Sequence, residues 1–228
     1  MIVKKWKGDT MQQTWLQHYT IDQIADIYEK SSNRLISGWR RRKLDNTDFS
    51  ILSNNCWGGH VYRRFGLPYN SPTVGLYFYA AEYILFLKEL EKNVYGKLSF
   101  IKYNDSKYCK DLEKKGQTRI PIGLLNDEIE VMFLHYQSEK EAYEKWRRRS
   151  DRMNMSNLIV KFSQMNLCGI EELQEYQRLQ FKKKILFTAE KIEGINSIVV
   201  KRYSKEHQIT DDTTYFQKHI DLYKLINL

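Results

Sequence analysis

The stretch of this sequence that is most informative about chemistry is a glycine-rich turn that contains a cysteine. Cys56 stands in the run NNCWGGH, residues 54–60, between a predicted strand and a predicted helix. In open α/β sheets such a turn lies at the carboxyl edge, where ligands bind. The helix N-terminus after it would present unpaired N–H groups and a partial positive charge, which should lower the pKa of the thiol. The run therefore predicts an activated thiol beside an anion site, with these substrate-binding residues: Asn54, Asn55, Trp57, Gly58 and Gly59.

Nucleophilic catalysis by this thiol needs a base and a group that orients the base. His60 and His135 are the candidate bases, and Asp127 or its neighbour Glu128 could orient either imidazole. We therefore assign Cys56, His60, His135 and Asp127 as candidate catalytic residues. The alternative is structural, because a free cysteine in a tight glycine turn is commonly a small buried residue.

A second candidate stretch is strongly basic. Residues 145–152 read KWRRRSDR, and on one continuous helix Lys145, Arg148, Arg149 and Arg152 would share a face. Several guanidiniums on one face suit recognition of phosphate or carboxylate. The alternative is a solvated face, since Glu141 and Glu144 stand four residues before Lys145 and Arg148. Arg63 and Arg64, just after the cysteine turn, would add to the same positive charge.

The elements that must position these residues alternate between strand and helix from Phe49 onward. This alternation predicts a three-layer α/β/α fold around a mostly parallel but mixed sheet. One antiparallel pair is expected around residues 126–128. Residues 1–47 are predicted to be a helical extension, opened by a capping box at residues 20–23, and residues 48–228 the α/β core. The core is predicted to contain a strand at residues 73–79, a helix at 80–93 and a last amphipathic helix at 214–227.

Composition sets the class of protein. The 228 residues are 42% apolar and carry 37 Lys and Arg against 28 Asp and Glu, a net charge of +9. These values exclude a disordered chain. Three widely spaced cysteines argue against structural zinc and secreted disulfides, and no apolar run reaches the ~18 residues of a membrane span. We expect a cytoplasmic protein with reduced thiols.

Several functions lack their motifs. The sequence contains no Walker loop, no dinucleotide fingerprint, no HExxH and no GxSxG. No cofactor and no metal site are expected. The positive charge invites nucleic acid as a partner, but no helix-turn-helix, RRM or zinc-finger signature accompanies it, so no specific nucleic-acid binding is expected. Residues 40–43, RRRK beside Trp39, could attract anionic lipid, which would give peripheral contact with the inner membrane face. The alternative is a plain solvated run of charges.

The chain resembles a bacterial family named for exopolysaccharide biosynthesis and found among polysaccharide or capsule genes. The resemblance runs from about Asp48 to Lys201 and is carried by these stretches: SNNCWGG at 53–59, YRR at 62–64, GLPYNSPTVGL at 66–76, PIG at 121–123, FLHY at 133–136, KWRRR at 145–149 and RMN at 152–154. Two departures accompany it. The segment before Asp48 lies outside the family pattern, and residues 163–166, SQMN, replace an expected acidic stretch.

The resemblance implies a single α/β domain but no established reaction. It makes an anionic sugar donor, or a polyprenyl-phosphate-linked sugar, the natural ligand for the arginines. The leading hypothesis is a transferase-like protein of surface-polysaccharide assembly. Either Cys56 is a nucleophile with a histidine base, or the turn and the arginines bind a sugar phosphate while Asp127 or Glu128 activates an acceptor hydroxyl. The alternative is a non-catalytic module that binds sugar phosphate or a membrane surface. The sequence leaves the oligomeric state open.

Overall fold

Two β-sheets organise the described part of the chain. The computed structural model describes residues 35–213 and 216–228 of the sequence. Its strands are β1 (Ser50–Ser53), β2 (Leu98–Ile101), β3 (Ile122–Leu125), β4 (Ile129–Met132), β5 (Leu158–Ser163), β6 (Lys183–Thr188) and β7 (Ile198–Val199). A four-stranded sheet has the order β1-β5-β6-β7, and a three-stranded sheet has the order β2-β3-β4. All neighbours are parallel in the first sheet and antiparallel in the second.

Helices cover both faces of the parallel sheet. They are α1 (Trp57–Phe65), α2 (Ala80–Lys88), α3 (Leu90–Tyr95), α4 (Cys109–Lys114), α5 (Glu139–Ser150), α6 (Ile170–Arg178) and α7 (Leu222–Ile226), and residues 35–41 are also helical. Short 3-10 turns occupy Tyr103–Asp105, Lys201–Tyr203 and Phe216–Lys218. None of the described helices is long and apolar enough to cross a membrane.

The alternation of side chains along each parallel strand builds two cores. Ile51 and Ile159 pack with Trp57 of α1 and Leu225 of α7 on one face. Their neighbours in the chain, such as Leu52, point to the other face and pack with residues of α2, α5 and α6. A strand that is buried on both faces reads as a continuous apolar run, as these strands do. The predicted α/β class with a parallel sheet between helices is confirmed.

The antiparallel strands differ from the prediction in where they lie. They form a separate sheet instead of joining the parallel one, and the turn at Asn126 and Asp127 closes the β3–β4 hairpin. Asn126 and Asp127 have positive φ, 53° and 61°, as the two central residues of a type I′ turn do, and Glu128 completes a three-residue loop between the paired Leu125 and Ile129.

The strand expected at residues 73–79 is not formed. Gly75 has a φ of 82°, which interrupts an extended chain, and Tyr77 makes only an isolated bridge to Met132. Burial explains the apolar pattern instead. The Phe78 N–H donates to the Asn54 carbonyl at 3.1 Å, whereas Tyr77 exchanges two 2.9 Å hydrogen bonds with Met132. The segment is a buried connector between the two sheets.

Other predicted bounds also change. The helix expected at 80–93 divides at Glu89, whose φ of −124° ends α2 and precedes α3. The last helix is limited to α7 and the 3-10 turn before it, and residues 214–215 lie outside the described residues. The capping box at residues 20–23 also lies outside them. Residues 35–44 pack on the core, because Arg41 Nη1 donates to the Gly66 carbonyl at 2.8 Å and Leu44 contacts the α1–α7 core.

Close packing of α1 on β1 depends on glycine. A Cβ added at Gly58 would lie 3.1 Å from Ile51 Cγ2 and 3.4 Å from Ser53 Oγ. We expect Gly58→Ala to lower the free energy of unfolding by about 1–3 kcal/mol, the usual cost of overpacking. Urea unfolding checks this value.

Gly38→Ala is the matched control, since Gly38 lies in the helical residues 35–41 and no atom would lie within 4 Å of its added Cβ. Alanine should keep or raise stability there, by up to about 1 kcal/mol. Equal losses in the two variants would show that the approach of α1 to β1 is not the limiting contact.

Candidate functional site

One cavity brings together most of the predicted chemistry. It has a volume of about 440 Å³ and lies where α1, the connector, the chain after β4 and α5 meet. Its lining residues are Cys56, Gly59, His60, Arg63, Tyr69, Val74, Gly75, His135, Tyr136, Lys145, Arg149 and Thr213. Three permanent cations and two imidazoles stand in this lining, whereas none of its described members is a carboxylate. The cavity therefore suits an anion.

Arg149 is the best-defined cation of the cavity. The residue is only 7% exposed, yet no carboxylate is among its hydrogen-bond partners in the described residues. Its Nη1 donates to the Val74 carbonyl at 2.7 Å and to the Tyr136 hydroxyl at 2.5 Å. The guanidinium also lies 5.1 Å from the ring centroid of Tyr69. Neutral oxygens and an aromatic ring hold this charge, which leaves its positive field available to a ligand.

The other cations are held differently. Lys145 Nζ lies 2.5 Å from Glu141 Oε1, so part of its charge is balanced within α5. Arg63 lies on α1 close enough to the Cys56 thiol to lower its pKa. His135 follows β4 and donates its backbone N–H to the Gly75 carbonyl at 3.0 Å, which fixes its place on the wall.

The thiol of Cys56 is not activated. Burial raises its pKa to about 11, and this effect outweighs the lowering by Arg63 and Lys161. The thiol lies 3.9 Å from the Leu76 carbonyl, its hydrogen-bond acceptor. The lowered pKa expected from the helix N-terminus is therefore wrong, because desolvation dominates at this position.

The N–H groups at the start of α1 are also engaged. The Trp57 N–H donates to Asn55 Oδ1 at 3.2 Å, and the Gly58 N–H donates to Ser53 Oγ at 3.3 Å. Gly58 and Gly59 have ordinary helical angles, so they serve close packing rather than a left-handed turn. The prediction of unpaired N–H groups at this helix N-terminus is therefore wrong. Side chains of the cavity wall are the groups that remain able to bind an anion.

A buried group of polar side chains closes the carboxyl edge of the sheet. We call Asn54, Asn55, Lys161, Ser163 and Asp212 the polar seam. Lys161 Nζ lies 2.5 Å from Asp212 Oδ2, with side chains 0% and 3% exposed, and donates to Asn55 Oδ1 at 2.9 Å. Asn55 Nδ2 donates to Asp212 Oδ1 at 2.6 Å, and the Ser163 hydroxyl also donates to Asp212. Burial lowers the pKa of Lys161, while Asp212 opposes this change.

Four residues predicted to bind substrate make internal contacts and do not line the cavity. Asn54 Nδ2 donates to the Ser163 carbonyl and Asn54 Oδ1 accepts from the Ser163 N–H, both at 3.0 Å. Asn55 belongs to the polar seam, Trp57 is fully buried, and Gly58 packs on Ile51. None of the four lines the cavity, and Gly59 alone of the predicted glycines does.

Four other predicted residues lie away from the cavity. Asp127 is on the exposed β3–β4 turn, where its carboxylate pairs with Lys97 at 2.9 Å. Arg64 lines a different cavity, beside α7. Arg148 is exposed, and Arg152 lies beyond the end of α5, where it donates to the Tyr69 carbonyl at 2.8 Å. The expected four-residue face fails because α5 ends at Ser150 and its last turns present only Lys145 and Arg149 to the cavity.

Sequence reasoning missed several residues around the cavity. Tyr69 and Tyr136 lie inside the stretches that carry the family resemblance, but the sequence pattern indicates no role for either side chain. Lys161 had a signal of its own, since a lysine within the apolar strand LIVKFS must be paired if it is buried. Asp212 had none, because it lies 157 residues from Asn55 in a loop without a motif.

A larger cavity, of about 740 Å³, lies at the opposite, amino-terminal edge of the parallel sheet. Amide side chains in its wall are already used. Asn157 donates to the Asp48 carbonyl and accepts from Lys183, and Asn227 accepts from the Asp45 N–H. We take the smaller cavity as the candidate site, because the carboxyl edge is where open α/β sheets bind ligands and because the hydrogen-bond partners of its buried Arg149 are neutral oxygens. Among the described residues, no three His, Cys, Asp or Glu side chains gather to hold a metal ion.

Comparison with known proteins gives a family match and a relative. A family model described as "Domain of unknown function (DUF1919)" matches residues 27–227. An uncharacterized protein of Haemophilus influenzae is 29% identical over 189 residues, which cover 82% of this chain and 85% of that one. The family match begins at residue 27, so part of the segment before Asp48 belongs to the shared pattern. The domain boundary at residues 47 and 48 stays a prediction.

The raised pKa of Cys56 predicts slow alkylation. Since the thiolate reacts and the thiol does not, the rate should rise with pH toward a midpoint near 11 and should be low at pH 7. Peptide mass spectrometry after iodoacetamide treatment gives the rate at each pH. Arg63→Gln should move the midpoint upward, because the variant loses a cation that stabilises the thiolate. A midpoint below the free-thiol value of about 8.5 would restore the nucleophile.

The polar seam predicts a large loss of stability when one partner is removed. Lys161→Met leaves the Asp212 carboxylate buried without its cation, which should cost about 3–5 kcal/mol in urea unfolding. Lys140→Met is the control, since Lys140 is 85% exposed and lies 4.0 Å from Glu144, where such pairs contribute about 0–1 kcal/mol. The double variant Lys161→Met with Asp212→Asn should recover part of the loss. A cost below about 1 kcal/mol for Lys161→Met would contradict this account.

Proposed function

The chain belongs to the family described as a domain of unknown function, DUF1919, and we propose that it binds a sugar-phosphate-type anion in the cavity between α1 and α5 and acts on it as a transferase-like protein. The observation that carries this proposal is the lining, in which Arg63, Lys145 and Arg149 stand without a carboxylate among the described members. The volume of about 440 Å³ falls in the range of small-molecule sites, about 300–1,000 Å³.

The aromatic residues support a sugar next to the phosphate. Tyr69 and Tyr136 line the cavity beside Arg149, whose guanidinium carbon lies 5.1 Å and 5.9 Å from their ring centroids. A pyranose offers C–H groups to such rings, and its phosphate offers oxygens to the guanidinium. Arg149 is already oriented by the Val74 carbonyl and the Tyr136 hydroxyl, so little conformational entropy is lost on binding.

The chemistry of transfer rests on the imidazoles. Asp127 is paired with Lys97 on a distant turn, and the Cys56 thiol stays protonated at neutral pH. His60 and His135 are the lining residues whose imidazole nitrogens can accept a proton in general base catalysis. One of them accepts the proton of an acceptor hydroxyl while that oxygen bonds to the sugar carbon. The bond from this carbon to the phosphate oxygen breaks, and its electron pair leaves with the phosphate, which the arginines hold.

The biological setting follows from the resemblance stated above. A donor sugar phosphate, or a polyprenyl-phosphate-linked sugar, would be consumed in the assembly of exopolysaccharide or capsule, on the cytoplasmic side of the membrane. The second candidate function is a non-catalytic module of such an assembly, which binds the same anion. The raised pKa of Cys56 fits both candidates, because it disfavours only a covalent route through the thiol and leaves the binding site intact.

Matched pairs of basic residues test the binding proposal. Lys145 faces the cavity and Arg148 of the same helix is exposed, while Arg63 faces the cavity and Arg64 does not. Isothermal titration with glucose 1-phosphate should show that Arg63→Gln and Lys145→Gln weaken binding. The loss of a charge-assisted hydrogen bond, about 1.5–3 kcal/mol, corresponds to about 10-fold to 150-fold. Lys145→Gln should have the smaller effect, because Glu141 already balances part of that charge.

Arg64→Gln and Arg148→Gln should leave the affinity within about twofold of the wild type, since surface charges outside the site act only through screened Coulomb terms. Free glucose, which lacks the phosphate, should bind far more weakly than glucose 1-phosphate. Equal weakening by all four variants, or equal binding of glucose and its phosphate, would count against the cavity as an anion site.

A further inference from the structure

An exposed apolar strip lies on the helical residues 35–41. Leu35 is 84% exposed, Ile36 40% and Trp39 58%. These positions, one and four residues after Leu35, fall on one side of a helix. Arg42 and Lys43 continue that side and are exposed as well, and Lys43 Nζ lies 3.7 Å from the ring centroid of Trp39. The side that faces solvent thus combines large apolar groups with cations.

The opposite side of the same helix is anchored. Arg41 Nη1 donates to the Gly66 carbonyl at 2.8 Å, and a Cβ at Gly66 would lie 2.9 Å from Ser37 Oγ. Asn227 Nδ2 donates to the Lys43 carbonyl at 3.3 Å. These contacts fix which side is outward, so the exposure of Trp39 is a property of the packed structure.

A second basic feature adjoins this helix. A cavity of about 360 Å³ beside α7 is lined in part by Arg64, Lys218, His219 and Tyr223. Lys43 Nζ lies 5.9 Å from the ring centroid of Tyr223, which links the cavity to Trp39. Asp221 also lines it, but its carboxylate accepts the N–H groups of Tyr223 and Lys224 at the start of α7. We call the helical strip and this cavity together the basic face.

We propose that the basic face docks on the surface of an anionic lipid bilayer. Trp39, Leu35 and Ile36 enter the interfacial layer, where indole and aliphatic groups leave water. Arg42 and Lys43 meet the lipid phosphates, and the cavity at Arg64 and Lys218 receives a headgroup phosphate. Charge complementarity identifies the occupant, since an apolar strip bordered by cations is typical of helices that lie in an anionic membrane interface. The proposal does not depend on the ligand of the cavity between α1 and α5.

Vesicle sedimentation of the full chain tests the proposal. We expect the protein to sediment with vesicles of phosphatidylcholine and phosphatidylglycerol, and much less with phosphatidylcholine alone. Each exposed cation contributes about 1 kcal/mol near such a surface, so Arg42→Gln and Lys43→Gln should each lower the partition coefficient about fivefold. Trp39→Ala should lower it about tenfold, because the indole no longer leaves water. Higher ionic strength should weaken binding of the wild type.

Two controls make the result specific. Lys140→Gln removes an 85% exposed lysine and Tyr143→Ala a 45% exposed aromatic residue, both on α5 and outside the basic face, and neither should change sedimentation. Circular dichroism verifies that Trp39→Ala is folded, as expected for an exposed side chain.

Equal sedimentation with both kinds of vesicle, or unchanged sedimentation of the Trp39 and Arg42 variants, would overturn the proposal. So would full release from the vesicles by a short DNA duplex, which would identify a nucleic acid as the preferred polyanion. Loss of glucose 1-phosphate binding would leave this result unaffected and would count only against the cavity proposal.

Discussion

The pairing of the Asn54 side chain with the backbone of Ser163 is the constraint on which the site depends. Its amide group donates to one carbonyl and accepts from one N–H of the same residue, both at 3.0 Å, as a neighbouring strand would. The Asn54 carbonyl meanwhile accepts the Phe78 N–H at 3.1 Å. One residue thereby ties the end of β1 to the end of β5 and to the connector, whose Val74 and Gly75 line the cavity.

The rest of the polar seam extends this constraint to the C-terminal part of the chain. Lys161 and Asp212 are buried together, and Asn55 and Ser163 complete the hydrogen bonds of the Asp212 carboxylate. A buried ion pair is a weak source of stability, since desolvation offsets most of its attraction. The ion pair here fixes the position of a loop. Because the buried Asp212 carboxylate needs Lys161 beside it, the loop around Asp212 has one placement, and this placement puts the adjacent Thr213 in the cavity wall.

Local patterns could predict the parts of this structure that depend on neighbours in sequence. The strand, turn and helix around Cys56 and the apolar parallel strands follow from spacing and residue type. The connector could not be predicted as such, because an extended buried segment and a strand have the same apolar pattern, and only the partners of Tyr77 and Phe78 distinguish them. The separation of the second sheet from the first also lies beyond local pattern. Hairpin spacing predicts that β3 and β4 pair, but not which sheet they join.

The pKa of Cys56 depends on opposing effects whose balance the residue types alone do not determine. The helix N-terminus and Arg63 favour the thiolate, as the pattern suggests, yet burial against Leu76 and the connector outweighs both. The size of a desolvation term depends on how completely the tertiary structure covers the group, and residue types alone do not contain that quantity. Residue type and helical spacing predict that Arg149 lies on α5. Its partners Tyr69 and Val74 come from a distant part of the chain, which local spacing does not predict.

Helix α1 connects the cavity and the basic face. Arg63 and Arg64 are consecutive, and a helix turns by about 100° per residue, so one guanidinium reaches the cavity while the next reaches the cavity beside α7. The position of α1 is set by Gly58 and Gly59, whose missing side chains let it approach Ile51 and Val74. Any change that moves α1 away from β1 therefore displaces both basic surfaces together. Two cationic sites with different neighbours are thus held in a fixed relation by one short helix, a geometry that suits a protein working on a phosphorylated ligand beside an anionic surface.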